Sequence, residues 1–304
     1  VKATRDSFGE ELAALGEVDP RIVVLDADLS KSTKSDKFAK KFPDRFFEMG
    51  IAEANMIGTA AGLAMSGKTP FACSFGCFVT GRFDQIRMSV SYNRANVKII
   101  GTHSGIAIGE DGHSQMGLED VALLRSLPNM SIYQPADDVE TRAVIRFAAA
   151  DNGPCYIRLT RQKLPHLFDK TYQFLPGKWT TICEGKDVAL IGSGGLVHSL
   201  KEANEKMGKK FTVVNACSLK PIDERLIMHL AENHDLIVTA EDHYSIGGLG
   251  SAVAEIMALA PGRAALHRIG VESFGESGTP EDLYRHYQFD ADGMVKRLER
   301  LLSA

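Results

Sequence analysis

The chain has 304 residues, 44% of them hydrophobic and 24% charged, a globular balance that excludes long disorder and suits two α/β domains better than one core. A formal net charge of −4 leaves no basic excess for a nucleic-acid backbone, and no apolar run approaches the length of a membrane span. The five cysteines (Cys73, Cys77, Cys155, Cys183 and Cys217) are odd in number and lack CxxC spacing, so they read as reduced core residues of a cytoplasmic protein.

In chain order, helical and strand-like patterns alternate. Strands are expected at Ile22–Ala27, Arg45–Met49, Thr69–Phe75, Val97–His103, Met130–Gln134 and Cys155–Thr160. Helices are expected at Thr4–Leu15, Thr33–Lys41, Ala52–Met65, Arg82–Asn93, Leu118–Ser126 and Asp137–Ala149. The segment 166–181, with Pro, Gly and aromatics but no period, reads as an interdomain linker lying on a surface. Alternation then restarts. Strands are expected at Asp187–Gly192, Phe211–Asn215, Asp235–Thr239 and Ala265–Gly270, and helices at Leu196–Lys206, Asp223–Glu232, Gly247–Leu259 and Ala291–Leu302. The fold class is therefore α/β, with two domains, each a mostly parallel sheet flanked by helices. We draw the boundaries as 1–168, a linker 169–182, and 183–304.

Open parallel sheets bind ligands beyond the C-terminal ends of their strands. In the first domain those ends gather Asp26-Ala27-Asp28-Leu29-Ser30, Gly76-Cys77-Phe78, Gly101-Thr102-His103-Ser104-Gly105 and Arg158-Leu159-Thr160-Arg161-Gln162, with a polar loop from Gly109 to Gln115. Hydroxyls, imidazoles, carboxylates and guanidinium groups converging on one edge support an enzyme site. Glu53 stands where a strand passes into a helix that is apolar almost all round, which predicts burial of the helix. A carboxylate there needs a partner. Gly192-Ser193-Gly194-Gly195 imitates a dinucleotide fingerprint, but the next strand ends in Asn215 where an acid would hold the ribose, so it reads as a tight turn, as does Gly247-Gly248-Leu249-Gly250. Asp242, His243 and Tyr244 read as structural or interface residues.

Over nearly its whole length the sequence resembles the C-terminal half of transketolase, a pyrimidine-binding domain followed by the C-terminal domain. The resemblance is carried, in order, by ATR, DADLSKS, GIAEAN, PFACSFGCF, GTHSGIAIGEDG, QPAD, YIRLTRQ and VTAEDHYSIGGLGSAVAE. It implies that Glu53 hydrogen-bonds a ring nitrogen of thiamine diphosphate's aminopyrimidine, that Phe75 and Phe78 pack on that ring, and that Asp28 lies near the thiazolium end. It implies that His103 binds substrate hydroxyls and moves protons, and that Asp111 reads a sugar hydroxyl. Arg5, Ser32 and Arg161 would hold the sugar phosphate, with Thr160 beside them. Paired guanidinium donors suit phosphate.

The resemblance also implies a reaction, transfer of a two-carbon ketol unit from a ketose phosphate to an aldose phosphate, and a division of labour. Family members bind Mg2+ and the diphosphate with a GDG segment followed by Asn. This chain has Glu110-Asp111-Gly112 but no GDG. No metal ligands are therefore expected here. Mg2+ and the diphosphate belong to a partner, an N-terminal transketolase subunit, and an alpha2beta2 assembly of a split enzyme is expected. One departure bears on the substrate: the family's polar loop has a histidine where this chain has Gln115, with His113 two residues earlier as its candidate replacement. Two related activities stay open, the beta subunit of a 2-oxo acid dehydrogenase's decarboxylating component and a 1-deoxyxylulose-phosphate synthase-like enzyme. A non-catalytic subunit that kept the fold is a third alternative.

Overall fold

The computed structural model describes residues 1–259 and 264–303. Among them lie fourteen strands: β1 (Lys2–Ala3), β2 (Ile22–Asp26), β3 (Phe46–Glu48), β4 (Thr69–Phe75), β5 (Lys98–Thr102), β6 (Ser131–Tyr133), β7 (Cys155–Arg158), β8 (Lys163–Leu164), β9 (Thr180–Cys183), β10 (Val188–Gly192), β11 (Thr212–Asn215), β12 (Ser218–Lys220), β13 (Leu236–Tyr244) and β14 (Ala265–Val271). β2 and β4, buried at every position, are neighbouring interior strands of the first sheet.

That sheet has the order β12-β6-β7-β5-β4-β2-β3, parallel throughout except for β12. The second has the order β14-β13-β10-β11-β9, parallel except for β9. The α/β class with two mostly parallel sheets is thus as expected. The sheets are tied together more closely than two beads on a linker. β12 lies beyond residue 183 in sequence yet pairs with β6 of the first sheet, and β1 pairs with β8 across the first domain. The segment expected to be a surface linker contains two anchors, Phe174 and Trp179, each 8% exposed. The Trp179 indole N–H donates to the Ser218 carbonyl at 2.7 Å, which fixes the crossing.

Three helix expectations need correction. Residues 33–41 are two helices, Ser30–Thr33 and Asp36–Lys41, broken at Lys34 (φ 71°). The buried Asp26 carboxylate draws in the Thr33 and Ser35 hydroxyls at 2.7 and 2.8 Å, and side-chain bonds of this kind compete with a continuous helix. Residues 82–93 form one short α turn, Phe83–Gln85, and then a π-helix, Ile86–Ser91, with i→i−5 bonds such as Tyr92 N–H to Arg87 O.

The third correction concerns the helix after Glu53, Glu53–Met65. It buries Met56, Ile57, Ala60 and Ala61 but exposes a face of Ala54, Asn55, Gly58, Gly62 and Met65. The residues are small, so composition alone made the helix look buried on every side. Just ahead of it Ile51 is 83% exposed, and the adjoining π-helix region exposes Met88 and, at 75%, Tyr92.

Candidate active site

Along the C-terminal edge of the first sheet a cavity of about 410 Å3 is lined by Arg5, Leu29, Ser32, Phe75, His103, Asp111, Gln115 and Arg161. They come from several separate pieces of local structure. Arg5 opens the first helix, Thr4–Val18. Ser32 follows β2, Phe75 ends β4, His103 follows β5 and Arg161 follows β7. Asp111 and Gln115 come from the loop after β5. Six of the residues singled out from sequence therefore meet in one place.

The cavity is cationic on one wall. Arg5 Nη1 donates to the Ser32 carbonyl at 3.0 Å and approaches His103 Nε2 at 2.6 Å. A guanidinium can only donate, so His103 Nε2 is the acceptor and Nδ1 carries the proton, which it gives to Thr102 Oγ1 at 2.9 Å. Burial, reinforced by the charges of Arg5, Arg161 and Lys34, pushes the His103 imidazole down to about 3, so it is neutral across the working pH range. Arg5 itself is lowered, first by burial and then by Arg161 against the opposing charge of Asp6. Its Nε is buried with no acceptor. Arg161 reaches Asp111 Oδ2 at 3.4 Å and the Ile108 carbonyl at 3.2 Å; the ion pair is about 40% exposed on each side.

Phe75 lines the cavity and packs on Phe78; neither Phe78 nor Glu53 is among the lining residues. The Phe75 and Phe78 rings lie 5.6 Å apart and only 8° from parallel, and Phe75 also meets the His103 ring at 3.9 Å. Glu53 begins its helix and is 6% exposed. Among the described residues its carboxylate has no hydrogen bond or ion pair. Its oxygens keep contact with solvent, so a group that covered them would have to supply a hydrogen bond in return.

Other expected residues fall elsewhere. Asp28 is exposed in the left-handed region (φ 61°), its N–H donating to Glu48 Oε1 at 2.7 Å, and it is not among the residues lining the cavity. The turn there is built by Asp26, which sequence reasoning passed over and whose carboxyl burial raises to about 6. Thr160 spans the strand end to the start of the chain. Its N–H donates to Thr4 Oγ1 at 2.8 Å, and its hydroxyl accepts from the Gln162 N–H. His113, the candidate replacement for the family histidine, does not line the cavity. Its Nδ1 accepts from the Gly275 N–H at 3.0 Å and its ring packs on Phe274 at 4.5 Å, turning it to the second domain, while Gln115 keeps the position at the cavity. Thr102 and Leu29 were missed. Thr102 stood next to His103 in plain sight as a hydroxyl able to fix the ring, whereas Leu29 carries no polar signal.

Among the described residues no group of three or more His, Cys, Asp or Glu side chains is arranged to hold a metal ion. Nor is any helix long and apolar enough to cross a membrane. All five cysteines are free thiols.

Comparison with known proteins adds to the geometry. Residues 1–166 match the family model of the transketolase pyrimidine-binding domain, and residues 177–294 that of the transketolase C-terminal domain. A Methanocaldococcus jannaschii protein named as a transketolase C-terminal section is 42% identical over 304 residues, covering 98% of this chain and 95% of its own length. A 6-deoxy-6-sulfo-D-fructose transketolase subunit from Clostridium sp. (strain MSTE9) is 38% identical, covering 96% of this chain and 92% of itself. The transketolase of Rattus norvegicus is 37% identical over 308 residues, but the chain spans only 49% of that protein's length. Among solved structures, a split-gene transketolase described as an inactive beta4 tetramer superposes with a TM-score of 0.92 at 44% identity, covering 100% of this chain and 99% of that one.

Proposed function

From a chain that belongs to the transketolase family and corresponds to its C-terminal half, we propose a subunit that supplies half of a thiamine-diphosphate active site and catalyses ketol transfer only with a partner. The observation that carries the reading is Glu53: a carboxylate with no protein partner, in a residue only 6% exposed, at the start of a helix on the same sheet edge as the parallel Phe75–Phe78 pair. A flat heteroaromatic ring with a nitrogen to share a proton answers both needs. Thiamine diphosphate, when bound, supplies a carbon nucleophile and an electron sink for breaking a carbon–carbon bond.

The chain's own residues do the rest. Glu53 holds a proton at the pyrimidine nitrogen. His103 is kept neutral with Nε2 as its acceptor, a nitrogen that Arg5 occupies here; when Arg5 turns to the sugar phosphate, Nε2 takes a hydrogen bond from a substrate hydroxyl and moves protons there. Arg5, Ser32 and Arg161 receive the sugar phosphate, and Asp111 accepts from a sugar hydroxyl. Asp28 and Thr160 serve this site at one remove, by shaping the turns that carry Leu29 and Arg161. Gln115 bears on which sugar is taken, because an amide stands where the family's histidine would meet substrate.

Mg2+ and the diphosphate are assigned to a partner subunit. The exposed face of Ala54, Gly58, Gly62 and Met65, with Ile51, Met88 and Tyr92 beside it, is where that partner docks. It adjoins Glu53, so docking would close the site over the cofactor. Two copies of each chain form the assembly. A relative described as an inactive beta4 tetramer fits an isolated subunit that associates without activity. Free thiols throughout fit a cytoplasmic location.

The test is to mix the chain with Mg2+, thiamine diphosphate, xylulose 5-phosphate and ribose 5-phosphate, with and without a polypeptide carrying the diphosphate-binding domain. Products are followed by mass spectrometry. Ketol transfer in the complete mixture alone is the expected result. A formed complex that transfers nothing would overturn the pentose-phosphate assignment, and turnover of pyruvate in its place would favour the 2-oxo acid reading.

A further inference from the structure

We propose that Asp242, which the second domain contributes, is a positioning residue for His103, holding the turn after β5 through Gly105 and Arg158. The proposal rests on the ketol-transfer reading, which gives His103 its role.

The turn needs holding. His103 lies in the left-handed region (φ 57°) and Gly105 has φ 85°, so the backbone leaves β5 through a conformation that most residues avoid. Its own bonds are few. The Gly105 N–H donates to the Gly117 carbonyl at 3.0 Å, and the Ser104 N–H donates to the Leu159 carbonyl at 3.3 Å. Ser104 Oγ lies 3.3 Å from the Tyr156 hydroxyl, which donates to Asp120 Oδ2 at 2.6 Å. That hydroxyl fills space left by the bare α-carbon of Gly101, where a Cβ would fall 2.1 Å from it.

From the other domain, Asp242 closes the turn. A Cβ on Gly105 would fall 2.0 Å from Asp242 Oδ2, so the carboxylate packs directly against the glycine. Its Oδ1 accepts from Arg158 Nη1 at 2.6 Å. Arg158 Nη2 donates to the Gly117 carbonyl at 2.9 Å and the Asp242 carbonyl at 3.1 Å, and its Nε donates to Asp120 Oδ2 at 2.9 Å. One buried guanidinium therefore fixes both supports of Gly105: the carbonyl that its N–H bonds and the carboxylate that it packs on. Asp242 touches none of the cavity, yet the residue two places before Gly105 is His103. Other bonds across the seam, such as Arg125 Nη1 to the Gly247 carbonyl at 2.7 Å, hold the domains without touching this turn.

The experiment uses the full chain with its partner. Asp242→Asn keeps the shape and removes the charge. Ketol transfer is expected to fall on the order of tenfold, and the same substitution in a His103→Ala background to cost less than about twofold more. An equal loss in both backgrounds, or no loss in the first, overturns the proposal. Nitrogen-15 NMR of the His103 imidazole, on the isolated chain, gives a second readout that needs neither partner nor substrate. Asp242→Asn should move the Nδ1 and Nε2 signals; unchanged signals also overturn it. If Asp242→Asn does not fold, Arg158→Lys, which keeps a cation beside Asp242 but loses the forked donors to the Asp242 carboxylate and the Gly117 carbonyl, carries both readouts with the same criteria. A wild-type complex without ketol transfer would defeat the functional reading while the imidazole signals still decide the positioning role.

Discussion

Around the strand ends of the first sheet, Glu53 has no protein partner and Arg5 keeps a buried Nε with no acceptor. At the seam between the domains, Arg158 is removed from water more completely, and every nitrogen of its guanidinium donates, two of them to carboxylates. The two regions share buried charge and differ in whether it is satisfied. Burial leaves an ionised group costly until it is paired, so an unpaired one persists where something else arrives to complete it. The seam is a finished network and the cavity an unfinished one. That contrast, more than the inventory of charged residues, separates scaffold from site.

The comparison breaks first, and by the largest amount, at Arg158. Arg158→Met would strand Asp120 and Asp242 without their cation, and urea denaturation should show a loss of about 3–5 kcal/mol. A loss under about 1 kcal/mol would mean that the network is not what joins the domains.

Glu140 sharpens the contrast with a pH dependence. It is fully buried and accepts from the Ala136 N–H, the Tyr172 hydroxyl and the Asn215 amide, yet burial raises its carboxyl to about 7. The folded state therefore holds this proton more tightly than the unfolded chain, whose carboxyl titrates near 4.5. The resulting stabilisation is full below pH 4.5 and is lost as pH rises through 7. Glu140→Gln should remove that slope, a difference on the order of 3 kcal/mol across the window. Melting curves at pH 4.5 and 7.5 measure it, and parallel slopes for wild type and variant would contradict it.

Smaller effects are expected at the exposed edge of the cavity. Arg161→Ala should raise the KM for sugar phosphates about tenfold while leaving the melting temperature unchanged. Because Arg161 is one of the cations depressing His103, the imidazole should also titrate above about 3 in that variant. An unchanged KM would take Arg161 out of phosphate binding. Smallest of all is the exposed Lys40–Asp36 pair, where Lys40→Ala should cost no more than about 0.5 kcal/mol in the same denaturation assay.

Much of this was legible in the sequence because parallel strands buried on both faces announce themselves, as Thr69–Phe75 does, and because ligands gather at strand ends. His103 and Arg161 stood out that way, Glu53 by its place at a helix start, and Phe75 through the family resemblance. What escaped depends on tertiary partners. The break at Lys34 follows from Asp26 drawing in two hydroxyls, and a cross-sheet strand as short as Ser218–Lys220 has no period to detect. The outward face of the helix after Glu53 was hidden because Ala and Gly look the same to a pattern whether they meet a core or solvent. His113 looked like a replacement by spacing alone, and only Phe274 and Gly275, more than 150 residues away, turn it from the cavity.

The most direct test of the account is Glu53→Gln in the reconstituted complex, read as ketol transfer beside denaturation of the same chain. The amide keeps the shape but cannot hold the proton in the same way, so transfer should fall by on the order of 100-fold or more with stability unchanged or slightly raised. Full transfer by the variant would contradict the claim that this unpaired carboxylate is part of the chain's contribution to catalysis.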